Sequence, residues 1–375
     1  MLSPLDDLPI HQAPLPVRQP ATSDRNFYDR YYFNCHPCSD ELFLVIGQGQ
    51  YPNLGVQDAF ALVRRGDEHR VVRASRELGL DRLDLTVGPF AVEVVEGLKV
   101  LRCTLDAAGH GLAYDLTWTG AVPAFQEPPH VDRDANGRAF LDGCRLAQVG
   151  SWEGWIKVDG DRIEVTPDHW WGSRDRSWGI RPVGDPEAPG NLATKPSAGF
   201  RWLYAPFRMP GHAMVLICQE RDDGSRVLEE AVRLWPDGRV EHLGRPEHEL
   251  TWDAAGPGLF GQVERGTLRF GSLEVEAEVV LPVHIGVGTG YGFDGDGWRH
   301  GKYQGPLVVD GKVWDLSTEE GRGAMFGIVV SAAAFPWGGR EGGGVWGWLV
   351  FCPAPPAPPA LPVPGAAEPA GSVAP

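Results

Sequence analysis

Gly154-Trp155-Ile156-Lys157-Val158-Asp159-Gly160-Asp161-Arg162-Ile163-Glu164-Val165 reads as one β-hairpin. Two alternating runs flank an Asp-Gly pair, and a two-residue hairpin turn needs φ > 0 at its centre. The same grammar recurs along the chain. Asp-Gly pairs begin at 142, 159, 223, 237, 294, 296 and 310, and Asn136-Gly137 adds another turn. In Leu112-Ala113-Tyr114-Asp115-Leu116-Thr117-Trp118 the apolar residues fall on every second position. Leu273-Glu274-Val275-Glu276-Ala277-Glu278-Val279 repeats this with three glutamates on the other face. Period two with one polar face describes a half-buried antiparallel strand. Helical signals are few: Arg70–Leu80 admits a short turn of helix, Asp81–Thr86 reads equally well as strand, and Ser331–Phe335 is too short to decide.

Composition agrees with many short strands. The 375 residues hold 49 Gly and 33 Pro, the residues that punctuate turns. That excludes a coiled coil and a helical bundle. The predicted fold class is all-β, as two consecutive antiparallel β-barrels, since closing a sheet removes its edges. The expected organisation is a flexible arm over 1–24, a first barrel over 25–185, a linker over 186–199, a second barrel over 200–352 and a disordered Pro/Ala-rich tail over 353–375.

The chain carries 34 Lys+Arg against 50 Asp+Glu, a net charge of −16. Non-specific nucleic-acid binding needs the opposite sign, and an anionic membrane surface would repel it. No run of 18 apolar residues suggests a membrane span, and Met1–Pro20 lacks the pattern of a signal peptide. Six cysteines in this length do not suggest a disulfide scaffold. A cytoplasmic protein is therefore expected; its oligomeric state is not legible. Cys35-His36-Pro37-Cys38 is a single CxxC without a second pair, which does not make a zinc site. Asp294-Gly295-Asp296-Gly297 lacks the remaining ligands of a calcium loop. No phosphate-binding loop, dinucleotide fingerprint or GxSxG elbow occurs, so neither metal nor nucleotide cofactor is expected.

Chemistry concentrates in Asp168-His169-Trp170-Trp171-Gly172-Ser173-Arg174-Asp175-Arg176-Ser177-Trp178-Gly179-Ile180-Arg181. Aromatic walls desolvate a carboxyl and raise its pKa, whereas adjacent arginines hold it ionised. Asp175, between Arg174 and Arg176, is therefore either an acid–base group or a member of a structural ion network. A second cluster, Gly288–Gly305, includes His300 and Tyr303. It is either a polar and aromatic cavity wall or a glycine-rich strand pair with a tight turn.

The stretch Gly154–Gly179 resembles the carotenoid 1,2-hydratase (hydroxyneurosporene synthase) and lipocalin-like Diels-Alderase superfamily, in which a hairpin precedes an Asp-His-x-Trp-Gly signature. It looks nearer still to a bacterial branch carrying Arg-Asp-His-Ser-Trp-Gly at this place. Asn26–Asn34, Ile46-Gly47 and Pro52-Asn53 also look like that branch. The resemblance implies two consecutive lipocalin-like (calycin) barrels, with a ligand cavity near their junction. It carries the signature aspartate onto Asp175, which in the hydratases protonates an alkene, and the Trp-Gly pair onto Trp178-Gly179. Arg176 stands where the signature has histidine, and an arginine cannot relay protons near neutral pH.

Two functions are open from these residues. One is an enzyme acting on a hydrophobic terpenoid- or polyketide-like molecule by hydration, dehydration, isomerisation or cyclisation of an alkene. Its catalytic set would be Asp175, His169 and Arg174, and its binding set Trp171, Arg176, Trp178, Tyr303 and His300. The other is a non-catalytic carrier of a hydrophobic small molecule, the usual role of a calycin cavity. Whether Asp175 faces a cavity or is closed off by Arg174 and Arg176 separates them.

Overall fold

The computed structural model describes residues 3–9, 14–134, 136–187, 200–256, 260–291, 295–335 and the backbone of 345–352. The expected tail, most of the expected linker and Asp294 lie outside these residues.

The architecture is nearly all β, in two antiparallel sheets. The first runs, in hydrogen-bonded order, Leu307–Asp315, Glu68–Glu77, Val56–Arg65, Phe43–Tyr51, Phe27–Cys35, Trp171–Ile180, Ala139–Val158, Leu112–Gly120, Val100–Ala107, Phe90–Glu96 and Thr86–Val87. The second runs Val240–His242, Arg226–Leu234, His212–Glu220, Arg201–Met209, Val345–Cys352, Val329–Phe335, Leu273–His284, Val263–Phe270 and Pro246–Trp252. The strand Leu307–Asp315 thus crosses from the C-terminal half to the first sheet, paired along Glu68–Glu77. Arg70–Leu80, read as a helical turn, falls largely in strand Glu68–Glu77, whereas Asp81–Thr86, read as strand, is turn up to Thr86; Ser331–Phe335 lies in strand Val329–Phe335.

The period-two pattern is what curls the first sheet. Leu112, Tyr114, Leu116 and Trp118 point inward to a core with Phe33, Leu44, Leu101 and Trp152. The leading hairpin forms as read. Val158 pairs with Asp161, and Asp159 (φ 48°) and Gly160 (φ 93°) supply the two positive φ values of the turn. In the second sheet Val275 and Ala277 face the core, while Glu274, Glu276 and Glu278 face out to Arg269, Thr267 and Arg265. Side chains span the near-closed seams. Arg76 Nε donates to the Thr86 carbonyl at 2.6 Å in the first sheet. In the second, Arg226 Nε meets Glu220 at 3.0 Å, and Glu220 meets His248 at 3.1 Å.

The two sheets pack against each other through a third apolar cluster. Phe43, Val45, Phe60 and Leu62 come from the outside of the first, and Val215, Ile217, Val283 and Val330 from the outside of the second. Among the described residues no helix is long and apolar enough to cross a membrane.

The arm read as flexible over 1–24 is anchored near its start. Pro4–Asp7 forms a 3-10 turn capped by Ser3. The fully buried Asp7 carboxylate then grips Arg174 with two contacts, Nη1–Oδ1 at 2.5 Å and Nη2–Oδ2 at 3.1 Å. It also accepts from the Leu98 amide, and the Asp7 carbonyl accepts from the Tyr31 hydroxyl. A polar, unperiodic segment is held here by one buried charge pair, which no local pattern announces.

Candidate functional site

The strand Trp171–Ile180 lies between Phe27–Cys35 and Ala139–Val158, so it has a hydrogen-bonded neighbour on each side. Alternation sends its side chains to opposite faces. Arg174 and Arg176 enter the first barrel. Arg174 Nε donates to Gln148 Oε1 at 2.8 Å, besides its fork on Asp7. Arg176 pairs with buried Asp29 and lies over the Tyr31 ring at 4.4 Å. Asp29 also accepts from Arg82 Nη2 at 3.1 Å. The expected three-residue ion network is therefore split: the two arginines have their own carboxylates inside the barrel, and Asp175 faces the other way.

Asp175 and Ser177 open onto a cavity of about 240 Å³ between the two barrels. An apolar cavity of about 150 Å³ accommodates benzene, so this one has room for a small bicyclic molecule. One wall is Tyr28, Arg30 and Tyr32 on the neighbouring strand, with Arg145 on the other neighbour. Trp202 and Tyr204 come from the second barrel, with Ile285, Tyr291 and Val330, and Glu127 and His130 close one side.

The electrostatics centre on Asp175. Burial pushes its carboxyl up to about 6, against the opposing pull of Arg145, Arg181 and Arg30, with Glu127 adding to the rise. Among the described residues no group hydrogen-bonds to it. Its charge neighbours act through space, so its oxygens remain open to whatever occupies the cavity. The Arg145 guanidinium lies over two neighbouring rings of one strand, 4.6 Å from Trp202 and 4.6 Å from Tyr204. Its Nε donates to Glu127 at 2.5 Å. Burial also raises Glu127, opposed by Arg145 and by a hydrogen bond from Tyr204. Burial raises Tyr32 and Tyr204 well above the usual phenol range, so both stay protonated donors. Burial lowers His130, stacked on Trp202, to about 4, which leaves it neutral near pH 7.

The other sequence candidates lie elsewhere. His169 is exposed in the turn before the strand. Trp171 lies four residues along the strand from Asp175, outside the cavity lining, where Arg208 sits over its ring at 4.4 Å. Trp178 shares the face of Arg176, 5.9 Å from that guanidinium, because it sits three residues from Asp175 and strand faces alternate. Tyr303 is exposed and donates to Glu77 at 3.0 Å. His300 is buried behind the wall, stacked on Phe60 and edge-on to Tyr291 at 4.5 Å. Desolvation drops its pKa well below the ordinary histidine value, and its Nε2 lies 3.0 Å from the Thr289 carbonyl. Only Asp175 of the expected set lines the cavity.

The sequence reading missed Arg30, Tyr32, Glu127, Arg145, Arg181 and Tyr204. Of these only Arg181 sits in the densest segment, and Arg30 and Tyr32 in the Asn26–Asn34 stretch. Among the described residues, the metal-type grouping lies away from the cavity: Cys218, Glu220 and His248 come within 4.8 Å of one another at the second barrel's seam. Cys35 and Cys38 are free thiols, and Cys35 is packed in the first barrel's core.

The chain belongs to the Family of unknown function (DUF8625), whose profile spans residues 2–358. No curated protein sequence matches it. Among solved structures it is similar to that of a protein assigned as AttH from Nitrosomonas europaea. Identity there is 12%, over 92% of this chain and 98% of that chain, with a TM-score of 0.53. The likeness is one of fold, and at that level the resemblance drawn from the sequence holds. Weaker likenesses are to kievitone hydratase from Nectria haematococca (12% identity, 87% and 88% covered, TM-score 0.43) and to CghA with Sch210972 (12% identity, 88% and 88%, TM-score 0.47).

Proposed function

We propose that the protein is a cofactor-independent enzyme that transfers protons to and from a hydrophobic small molecule held between its barrels. The chemistry would be hydration, dehydration, isomerisation or cyclisation of an alkene in a terpenoid- or polyketide-like substrate. Asp175 is the acid and base. One observation carries this reading: a carboxyl with no hydrogen-bond partner among the described residues faces an aromatic-walled cavity and titrates near 6. A catalytic acid–base group works best with a pKa near the working pH. An ionised carboxyl kept for structure would instead be matched directly to a donor, as Asp7 and Asp29 are.

The aromatic walls serve the same chemistry. Protonating an alkene leaves a carbocation, and the π-faces of Tyr32, Trp202 and Tyr204 would stabilise it. The Tyr32 hydroxyl, held protonated by burial, can donate to a developing oxyanion or position a water.

The test begins with native mass spectrometry of the purified protein, to identify a co-purifying lipophilic molecule. That molecule and its hydrated or isomerised relatives are then offered to wild type and to Asp175→Asn. Turnover by wild type, with at least a 100-fold loss in the variant and similar ligand affinity, supports the reading. His169→Ala and Tyr303→Phe should leave turnover unchanged, because neither residue reaches the cavity. A molecule that binds and is released unchanged makes the protein a carrier, and wild-type turnover in Asp175→Asn removes the acid–base assignment.

A further inference from the structure

The charges around the cavity balance only while Asp175 is ionised. Arg30, Arg145 and Arg181 line it together with Glu127 and Asp175. Arg30 is matched from behind by Asp58, 4.0 Å away, and both meet the Tyr51 hydroxyl, at 2.8 Å and 3.1 Å. Arg145 is matched by Glu127. Arg181 has no carboxylate in contact among the described residues. Its guanidinium lies over the Tyr28 ring at 4.5 Å and reaches His300 Nδ1 at 3.5 Å. Two carboxylates act on it through space, Asp58 from behind the wall, where it already answers Arg30, and Asp175 across the cavity. Protonating Asp175, as acid catalysis requires, therefore leaves the site with one positive charge too many.

Arg145 adds a second opening. Its Nε is engaged by Glu127, but neither terminal nitrogen donates to a described residue, and Nη2 is buried without a partner. The guanidinium is held by Glu127 at Nε and by the adjacent Trp202 and Tyr204 rings that it lies over. A fixed planar fork with free donors suits a carboxylate better than it suits a neutral oxygen.

We infer that the substrate is a flat, apolar monocarboxylate. Its carboxylate docks against Arg181 and Arg145, and its ring system or polyene lies along Tyr28, Trp202 and Tyr204. This rests on the reading of Asp175 as the proton donor and names the class of molecule it serves. The bound carboxylate takes over as counter-charge to the arginines, so Asp175 can hold its proton at neutral pH. The groups facing Asp175 are Arg145, Glu127, Arg181, Arg30, Tyr32 and Tyr204. The tyrosines stay neutral, Arg145 is paired with Glu127 and Arg30 with Asp58, and Arg181 is left to meet the incoming anion. The anion therefore acts on Asp175, and substrate binding takes up a proton from solvent.

Isothermal titration calorimetry of the full chain at pH 7 with two matched probes tests this. 2-Naphthoate is the anion and 2-acetonaphthone its neutral counterpart, each measured in two buffers of different ionisation enthalpy. Naphthoate should bind at least 10-fold tighter and take up a proton, toward one per site. Uptake should vanish in Asp175→Asn. Arg181→Met should abolish the preference for the anion while keeping acetonaphthone affinity, and Arg181→Lys should restore part of it. Equal or inverted affinities in wild type, a preference that survives Arg181→Met, or naphthoate binding without proton uptake overturns the inference. Acetonaphthone binding alone does so while leaving the hydrophobic cavity of the proposed function standing. Failure of both probes to bind counts against both.

Discussion

Replacing Asp175 by asparagine should make the protein more stable at neutral pH. Folded, the carboxyl titrates near 6 against an ordinary value of 3.8. The gap of about 2 pKa units, at 1.36 kcal/mol each, amounts to about 3 kcal/mol. The sign follows from which state holds the proton more tightly. Here the folded state does, so folding takes up a proton between about pH 4 and pH 6. The contribution of a neutral Asp175 is fully present below pH 4 and is lost as pH rises through 6. The amide of the Asp175→Asn variant is neutral throughout and has no such slope. The difference in unfolding free energy should be near zero at pH 4 and should reach about 3 kcal/mol in favour of the variant by pH 7 to 8. Urea titrations read by tryptophan fluorescence, at matched pH values, give the curve, and distant carboxylates cancel in the difference. A variant less stable than wild type at pH 7 would refute the reasoning. It would mean that the attraction of Arg145, Arg181 and Arg30 outweighs desolvation, and that Asp175 is a structural partner after all.

Asp7→Ala leaves Arg174 buried with no charge opposite it, since the two are both fully enclosed. The expected loss is about 3–5 kcal/mol in urea unfolding at pH 7, and a loss under about 1 kcal/mol would show that the N-terminal turn does not hold in solution. Gly172→Ala would put a Cβ 2.0 Å from the Asn34 carbonyl oxygen, a backbone atom that cannot step aside. The strand carrying Asp175 should then separate from its neighbour, seen as lost near-ultraviolet circular dichroism; an unchanged spectrum and melting point would show that the two strands are not packed this closely.

What the sequence made legible is what repeats locally. Period two placed Leu112–Trp118 and Leu273–Val279 as half-buried strands, and Asp159-Gly160 as a turn. These depend only on neighbours one or two residues apart. The candidate acid was legible because it sits in a dense, recognisable segment. Its surroundings were not. Arg145 comes to the cavity because strand Ala139–Val158 is in register with Trp171–Ile180, Ala147 opposite Asp175. Tyr204 arrives from the second barrel and Glu127 from just beyond a two-residue strand. Nothing in the short sequence Cys144-Arg145-Leu146 distinguishes a cavity arginine from a surface one. Asp7 and Arg174 are separated by 167 positions, and only the fold brings them together. Conversely, His169 was tempting by nearness in sequence alone, six residues from Asp175, yet it occupies an exposed turn.

The same strand geometry changes the meaning of Arg176. By resemblance it replaces a signature histidine, which read as the loss of a proton relay beside Asp175. Adjacent residues of one strand point to opposite faces, so any side chain at 176 enters the first barrel when 175 faces the cavity. Arg176 is fully buried there against Asp29 and Tyr31. A histidine at that place would also have met Asp29, not the cavity. The exchange therefore alters the barrel's internal charge, and it removes no relay from the site. The proton that Asp175 gives up must be replaced through the cavity itself, from the substrate or a water. That is why the open donors of Arg145 and Arg181 bear on the chemistry more directly than the residues adjacent to Asp175 in sequence.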